Sequence, residues 1–270
     1  MKRTIFYVAA VAIMALVFAS CEREDNELTT PDGGNDTTSQ DTPTPSVPGE
    51  WVDLGLPSGL LWYSCNLGAI TPEGRGDYYA WGETQTKSTY SWGNYIHGDC
   101  EIDGYDQIYS LYKYNVDPHY GTVDNLITLQ ACDDAATARL GNGARIPTKE
   151  DYEELERNTR YEWTTQNGIN GRIYRSSNGN SIFLPAAGSR GTTTSVLSAN
   201  YYGRYWLSTL DTTGWTDTWS DTVPQYYKDC YCAHAVEFNS CGDIRASGGN
   251  MLSTRETGRS IRPVKSGNKK

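Results

Sequence analysis

Residues 51–62 read Trp51-Val-Asp-Leu-Gly-Leu-Pro-Ser-Gly-Leu-Leu-Trp62. Two runs of strand-forming residues, Trp51-Val-Asp-Leu54 and Leu60-Leu-Trp-Tyr63, flank Gly55-Leu-Pro-Ser-Gly59, whose glycines and proline suit a turn. Ser58 falls one residue off the nucleophile-elbow spacing and reads as part of that turn. The same pattern recurs downstream. Asp77-Tyr-Tyr-Ala-Trp81, Asn180-Ser-Ile-Phe-Leu184, Tyr205-Trp-Leu-Ser208, Ala233-His-Ala-Val-Glu-Phe238 and Ser260-Ile-Arg-Pro-Val264 all read as short strands between Gly-rich turns. Trp206, Val236, Phe238 and Ile261 are the expected buried positions among them.

Two stretches carry helical spacing instead. Leu129, Cys132, Ala136 and Leu140 recur at three- and four-residue intervals, which predicts one helix with an apolar face. Pro147-Thr148-Lys-Glu-Asp151 opens the second, with Thr148 as N-cap three residues before an acid. Tyr152 and Leu155 are its expected buried positions, and Glu153, Glu154 and Glu156 are expected to face water.

Upstream of Trp51 the chain changes character. Lys2 and Arg3 precede an apolar run from Ile5 to Phe18, then Ala19-Ser20-Cys21, the layout of a secretory signal over residues 1–20. The run is short for a bilayer of roughly 30 Å. A cysteine directly after small residues resembles a lipoprotein signal, which predicts cleavage before Cys21, acylation of its thiol and a lipid anchor in a membrane. Residues 21–50 are rich in Thr, Pro, Asp and Gly without apolar periodicity, so a disordered tether is expected. Its acidic start resembles the export signal of Bacteroidetes surface lipoproteins, which implies the outer face of the outer membrane. Residues 51–270 form the remaining, globular segment.

The 270 residues include 20 Tyr, 8 Trp and 27 Gly against 3 Met, a strand- and loop-forming composition. The net charge of −10 argues against nucleic acid, which calls for a basic face. The tether contributes −7 of that charge and the globular segment −5, the leader being basic.

The catalytic inventory is thin. His97, His119 and His234 lie far apart, outside any H-E-x-x-H pattern, and no phosphate-cradling glycine loop or dinucleotide fingerprint appears. No catalytic residue, metal ligand or cofactor is assigned. Asp99, Asp103 and Asp106 around Gly104 offer oxygens for calcium, but a polar loop explains them as well. Six cysteines besides Cys21 remain: Cys65, Cys100, Cys132, Cys230, Cys232 and Cys241. An exported chain permits disulfides, and six thiols allow fifteen pairings.

Several segments together carry a resemblance. Residues 51–62, Cys65-Asn-Leu-Gly-Ala69, Gly76-Asp-Tyr-Tyr-Ala-Trp-Gly-Glu-Thr84, Asp133-Asp-Ala-Ala-Thr-Ala138, Arg145-Ile-Pro-Thr-Lys-Glu150, Ser181-Ile-Phe-Leu-Pro-Ala-Ala-Gly188 and Arg259-Ser-Ile-Arg-Pro-Val264 recur in family order. They resemble the Fibrobacter succinogenes major paralogous domain family, which is similar in fold to C-type lectins and to the formylglycine-generating enzyme. The resemblance implies an α+β, C-type-lectin-like unit: a small twisted antiparallel sheet, two helices and long loops, with first and last strands together. It also places Gly76-Asp77 of the Arg75-Gly76-Asp77 tripeptide in a turn-and-strand segment, away from an adhesive role. The lectins' calcium motifs and the enzyme's catalytic cysteine segment have no match here.

Residues 199–255 concentrate aromatic side chains among Ser, Thr, Asp and Gly. Tyr, Trp and Arg supply rigid contact area and planar hydrogen bonding, so Tyr201, Tyr202, Arg204, Trp215, Trp219, Tyr226 and Tyr227 are the expected ligand-binding residues. The stretch also resembles the changeable face of diversity-generating-retroelement proteins. The expected role is binding of an extracellular glycan or protein; a formylglycine-generating or glycan-processing enzyme and a fimbria-associated structural component are the alternatives.

Overall fold

The computed structural model describes residues 49–104, 106–217, 225–243 and 251–267. Cys21 and Trp219 lie outside them, and of Trp215, Tyr226 and Tyr227 only the backbone placement is described. Along the chain run β1 (Trp51–Asp53), β2 (Leu60–Tyr63), β3 (Gly98–Asp103), β4 (Asp106–Leu111), α1 (Ala135–Leu140) and α2 (Lys149–Asn158). There follow β5 (Thr159–Gln166), β6 (Ile169–Ser176), β7 (Ser181–Pro185), β8 (Ser189–Arg190), β9 (Val196–Leu197) and β10 (Gly203–Leu210). The last elements are β11 (Gly214–Asp217), β12 (Gln225–Lys228), β13 (Cys232–Asn239), β14 (Gly242–Asp243), β15 (Met251–Thr254) and β16 (Val264–Ser266). All the strand pairs are antiparallel. The fold is therefore α+β, with several small sheets and two helices among the described residues.

β10 and β13 form the centre. Nearly every residue of both is buried, because core lies on both faces. Trp206, Leu210, Ala233 and Ala235 face one cluster with Trp81, Tyr114, Tyr120 and the α1 alanines Ala135 and Ala136. Tyr205, Leu207, Val236 and Phe238 face the other, with Trp62, Tyr174 and the α2 residues Tyr152 and Leu155. The alternation follows from the strand's period of two. The expected burial of Trp206, Val236, Phe238 and Ile261 is observed.

β1 and β16 flank β2, so the first and last strands share one sheet. In α2, Thr148 Oγ1 accepts from the Asp151 N–H at 3.2 Å and the Asp151 carboxylate accepts from the Thr148 N–H at 2.7 Å, the expected cap completed into a box.

Four expectations are corrected. The helix expected over Leu129–Leu140 is broken: residues 131–133 make a 3-10 turn, and Asp134 then caps α1 by accepting from Thr137 N–H and, through its other oxygen, from Ile146 N–H. Cys132 is consequently exposed. Residues 77–81 form no strand; their backbone alternates bonds with Leu67, Arg259 and Arg255 carbonyls, leaving a single bridge, Tyr79 to Arg259. Residues 260–263 likewise make isolated bonds, since Pro263 has no donor, and the last strand starts only at Val264. Finally, Glu154 and Glu156 do not simply face water: Glu154 accepts from the N–H and hydroxyl of Ser58, and Glu156 lies 4.0 Å from Arg172.

All six described cysteines are free thiols. Asp99, Asp103 and Asp106 belong to the β3–β4 hairpin, and the described residues contain no group of three or more His, Cys, Asp or Glu able to hold a metal.

Candidate functional site

β4 carries Ile108, Tyr109 and Leu111 in the alternation of a strand, and Tyr112 follows directly. Leu111 and Tyr109 face inward: Leu111 is buried, and Tyr109 packs against Trp92 with ring centroids 5.1 Å apart. Tyr112 points outward and is 63% exposed, its hydroxyl donating to Asp99 across the hairpin.

Opposite β4 lies a tight turn over Pro118–Tyr120. Asp117 caps it by accepting from the His119 N–H at 2.9 Å, and Pro118 at the first position presets the backbone. Gly121 leaves the turn at φ 126°, a conformation that a side chain resists, and a Cβ there would press on the Leu111 carbonyl at 3.0 Å. Beneath, the wholly buried Asn115 holds the turn by accepting from the Asp117 N–H at 3.0 Å and donating to the Thr122 carbonyl.

Between strand and turn opens a groove of about 650 Å³, lined by Ile108, Tyr109, Tyr112, His119 and Tyr120 among smaller neighbours. Tyr231, leading into β13, stacks on Tyr109 at 4.3 Å and 4° and meets Tyr120 edge-on at 5.8 Å. Tyr231, from a distant part of the chain, thus braces both Tyr109 and Tyr120. Burial pushes the Tyr109 hydroxyl up to about 12, with help from the nearby Cys100 and Cys232 thiols, and it raises Tyr120 and Tyr231 as well. The Tyr112 hydroxyl is raised chiefly by its hydrogen bond to Asp99. All four phenols are therefore neutral hydrogen-bonding groups at physiological pH. No Lys or Arg lines the groove.

The expected ligand-binding residues separate into two places. Tyr201 and Tyr202 precede β10 and Arg204 lies near its start, whereas Trp215 on β11 and Tyr226 and Tyr227 on β12 follow its end. Seven strand steps lie between Gly203 and Leu210, about 23 Å of extended chain. Within the second place, Trp215 pairs in register with Tyr227 and Thr216 with Tyr226. This hairpin is tied to the groove, because Lys228 N–H donates to Asp117 Oδ2 at 2.8 Å. At the first place only Tyr201 is widely open, 71% exposed. Arg204 is engaged inside the fold: it bonds Glu237 and Ser189 at 3.0 Å each and lies 4.9 Å over the Tyr202 ring. Tyr109, Tyr112, His119 and Tyr120 were not among the expected residues. Their signal was present, since residues 108–120 are as rich in aromatics as residues 199–255.

The polar groups available for catalysis are mostly committed. Cys230 is buried and its thiol donates to Asn115 Oδ1 at 3.4 Å; burial raises the pKa of both Cys230 and Cys232, so both stay protonated at neutral pH. His97 Nε2 lies 2.7 Å from the Gly82 carbonyl, which fixes a proton on that nitrogen, and desolvation keeps the ring neutral. The Arg75-Gly76-Asp77 segment is pinned: Asn66 donates to the Arg75 carbonyl, and Asp77 N–H donates to the Leu67 carbonyl. Comparison of the chain with family models, with curated proteins and with solved structures gives no match.

Proposed function

We propose that this chain is a lipid-anchored lipoprotein of the outer membrane, displayed at the cell surface, whose C-type-lectin-like domain of the major paralogous type binds an extracellular glycan. The observation that carries the reading is the aromatic groove: the open ring of Tyr112 over a floor of neutral tyrosines, beside hydrogen-bonding groups of Asp99 and His119. Aromatic faces take up the C–H faces of a sugar ring while polar neighbours meet its hydroxyls. The β11–β12 hairpin, whose backbone carries Trp215, Tyr226 and Tyr227, is joined at Asp117 to the turn that lines the groove. Acylated Cys21 supplies the attachment, and no cofactor is needed for this role.

A glycan array probed with the full chain tests the reading. Binding that falls at least tenfold in Tyr112→Ala, with Trp215→Ala also impaired, is the expected outcome; Tyr112 is exposed, so the variant folds. An array without any binder, or one indifferent to Tyr112, overturns it. A protein ligand is the second reading, supported by the exposure of Ile102 and Ile108 on the hairpin beside the groove, at 75% and 49%. Under that reading Ile102→Asp abolishes binding to the partner, whereas a sugar seated on the tyrosines is indifferent to it.

A further inference from the structure

A second groove, of about 480 Å³, opens where the C-terminus of α2 meets the start of β5 and the end of β6. Every residue lining it is polar, and three are Arg157, Arg160 and Arg175. Arg160 and Arg175 stand directly opposite each other in the β5–β6 register. Side chains so placed have Cβ atoms about 5 Å apart, and like charges there repel.

The carboxylates of the neighbourhood do not cancel this. Arg157 lies 3.6 Å from Glu153 and Arg175 pairs with Glu162, but all four side chains are well exposed, where such pairs contribute little. Glu154 is held by Ser58 and Glu156 lies beside Arg172. Arg160 has no carboxylate partner among the described residues. The end of α2 would attract cations through its free carbonyls. Two of these are already occupied, since Asn158 Nδ2 donates to the Glu154 carbonyl at 2.8 Å and Thr159 Oγ1 to the Leu155 carbonyl at 2.6 Å.

We propose that this groove binds a phosphate group. A guanidinium offers a planar fork of donors that matches a phosphate edge. Three arginines that line one groove from a helix end and two strands suit a tetrahedral oxyanion, which presents oxygens in several directions, better than a flat carboxylate. The groove also adjoins β1: the Ser176 hydroxyl donates to the Leu54 carbonyl, and the Asn178 and Asn180 amides donate to the Asp53 carbonyl. The source is a lipid headgroup or a soluble phosphate.

The experiment uses the full chain at fixed ionic strength, with inorganic phosphate titrated against chloride and followed by ³¹P line broadening and by Tm. Saturable binding is expected, weakened at least tenfold in Arg160→Ala and less in Arg160→Lys. In chloride alone Arg160→Ala raises Tm slightly, because it removes the repulsion with Arg175; opposite effects with and without phosphate mark a binding role, as a structural role would lower Tm in both. Phosphate that acts like chloride, or an Arg160→Ala variant that binds normally, overturns the proposal. Vesicles containing phosphatidic acid then separate the sources. Association that free phosphate displaces assigns a headgroup, and phosphate binding without vesicle association assigns a soluble ligand. Vesicle association that Arg160→Ala leaves intact overturns the groove as the site.

Discussion

Arg262 is almost wholly buried, yet none of its hydrogen-bond partners is a carboxylate. It donates to Asn66 Oδ1 at 3.0 and 2.7 Å, to the Tyr63 and Ser64 carbonyls, and to the Phe183 carbonyl at 2.8 Å. One side chain therefore joins the end of β2 to β7. Arg262→Ala leaves these acceptors without partners, and a loss of about 3 kcal/mol or more is expected in urea unfolding. Arg262→Lys recovers only part of it, because an ammonium lacks the planar fork. The histidines carry a second residue-level expectation. Desolvation lowers the pKa of both His97 and His234 below the usual 6.5. The unfolded chain then binds more protons as pH falls, so these groups cost stability below about pH 6.5. Buried acids such as Asp134, Asp229 and Glu256 are raised and act in the opposite sense, so the difference between wild type and His234→Gln is the quantity to measure. The wild type should lose more stability than the variant between pH 7 and 5.

At the scale of elements, what a local pattern specifies was readable and what distant partners specify was not. The cap of α2 was legible because Thr148 and Asp151 are three residues apart, and Thr148→Ala should cost about 1 kcal/mol in thermal unfolding. β10 and β13 were legible as apolar runs, but not the irregularity between them. Trp206 pairs with Ala235 and Leu210 with Ala233, so β10 carries extra residues, and its backbone there serves other segments. The Leu207 carbonyl takes the Trp81 indole N–H, the Ser208 N–H reaches Pro147, and the Ser208 carbonyl takes the Leu129 N–H. No period in the sequence encodes such cross-chain bonds. The same limit governed residues 77–81, two of whose backbone partners, Arg259 and Arg255, lie near the other end of the chain. For the candidate groove, composition marked residues 108–120 as well as 199–255, but the turn at Pro118–Tyr120 that faces Tyr109 and Tyr112 becomes part of a site only when Asn115 and Asp117 fold it back.

Across the whole molecule, charge and chain ends are distributed with purpose. The globular segment is only mildly acidic, and its arginines are used unevenly: the aromatic groove has none, while three line the groove near β1. The two grooves should therefore respond oppositely to added charge on a ligand. The closing strand is equally decisive. Val264 is fully buried, pairs with Trp62 and is bridged to Arg145. A chain ending at Pro263 should lose cooperative unfolding, which near-ultraviolet circular dichroism would register.

The three-stranded sheet also sets how the domain bears load. A force entering at residue 49 meets β1 first, an outer strand of three residues held by one neighbouring strand, by the Asn178 and Asn180 amides on the Asp53 carbonyl, and by the Trp51 ring, which lies against Tyr63 and under Lys265. Stripping β1 leaves β2 still zipped to β16 and uncovers the second core only where Val52 packs on it. If the chain is anchored as proposed, tension from the anchor peels this short clasp before it reaches the central β10–β13 pair.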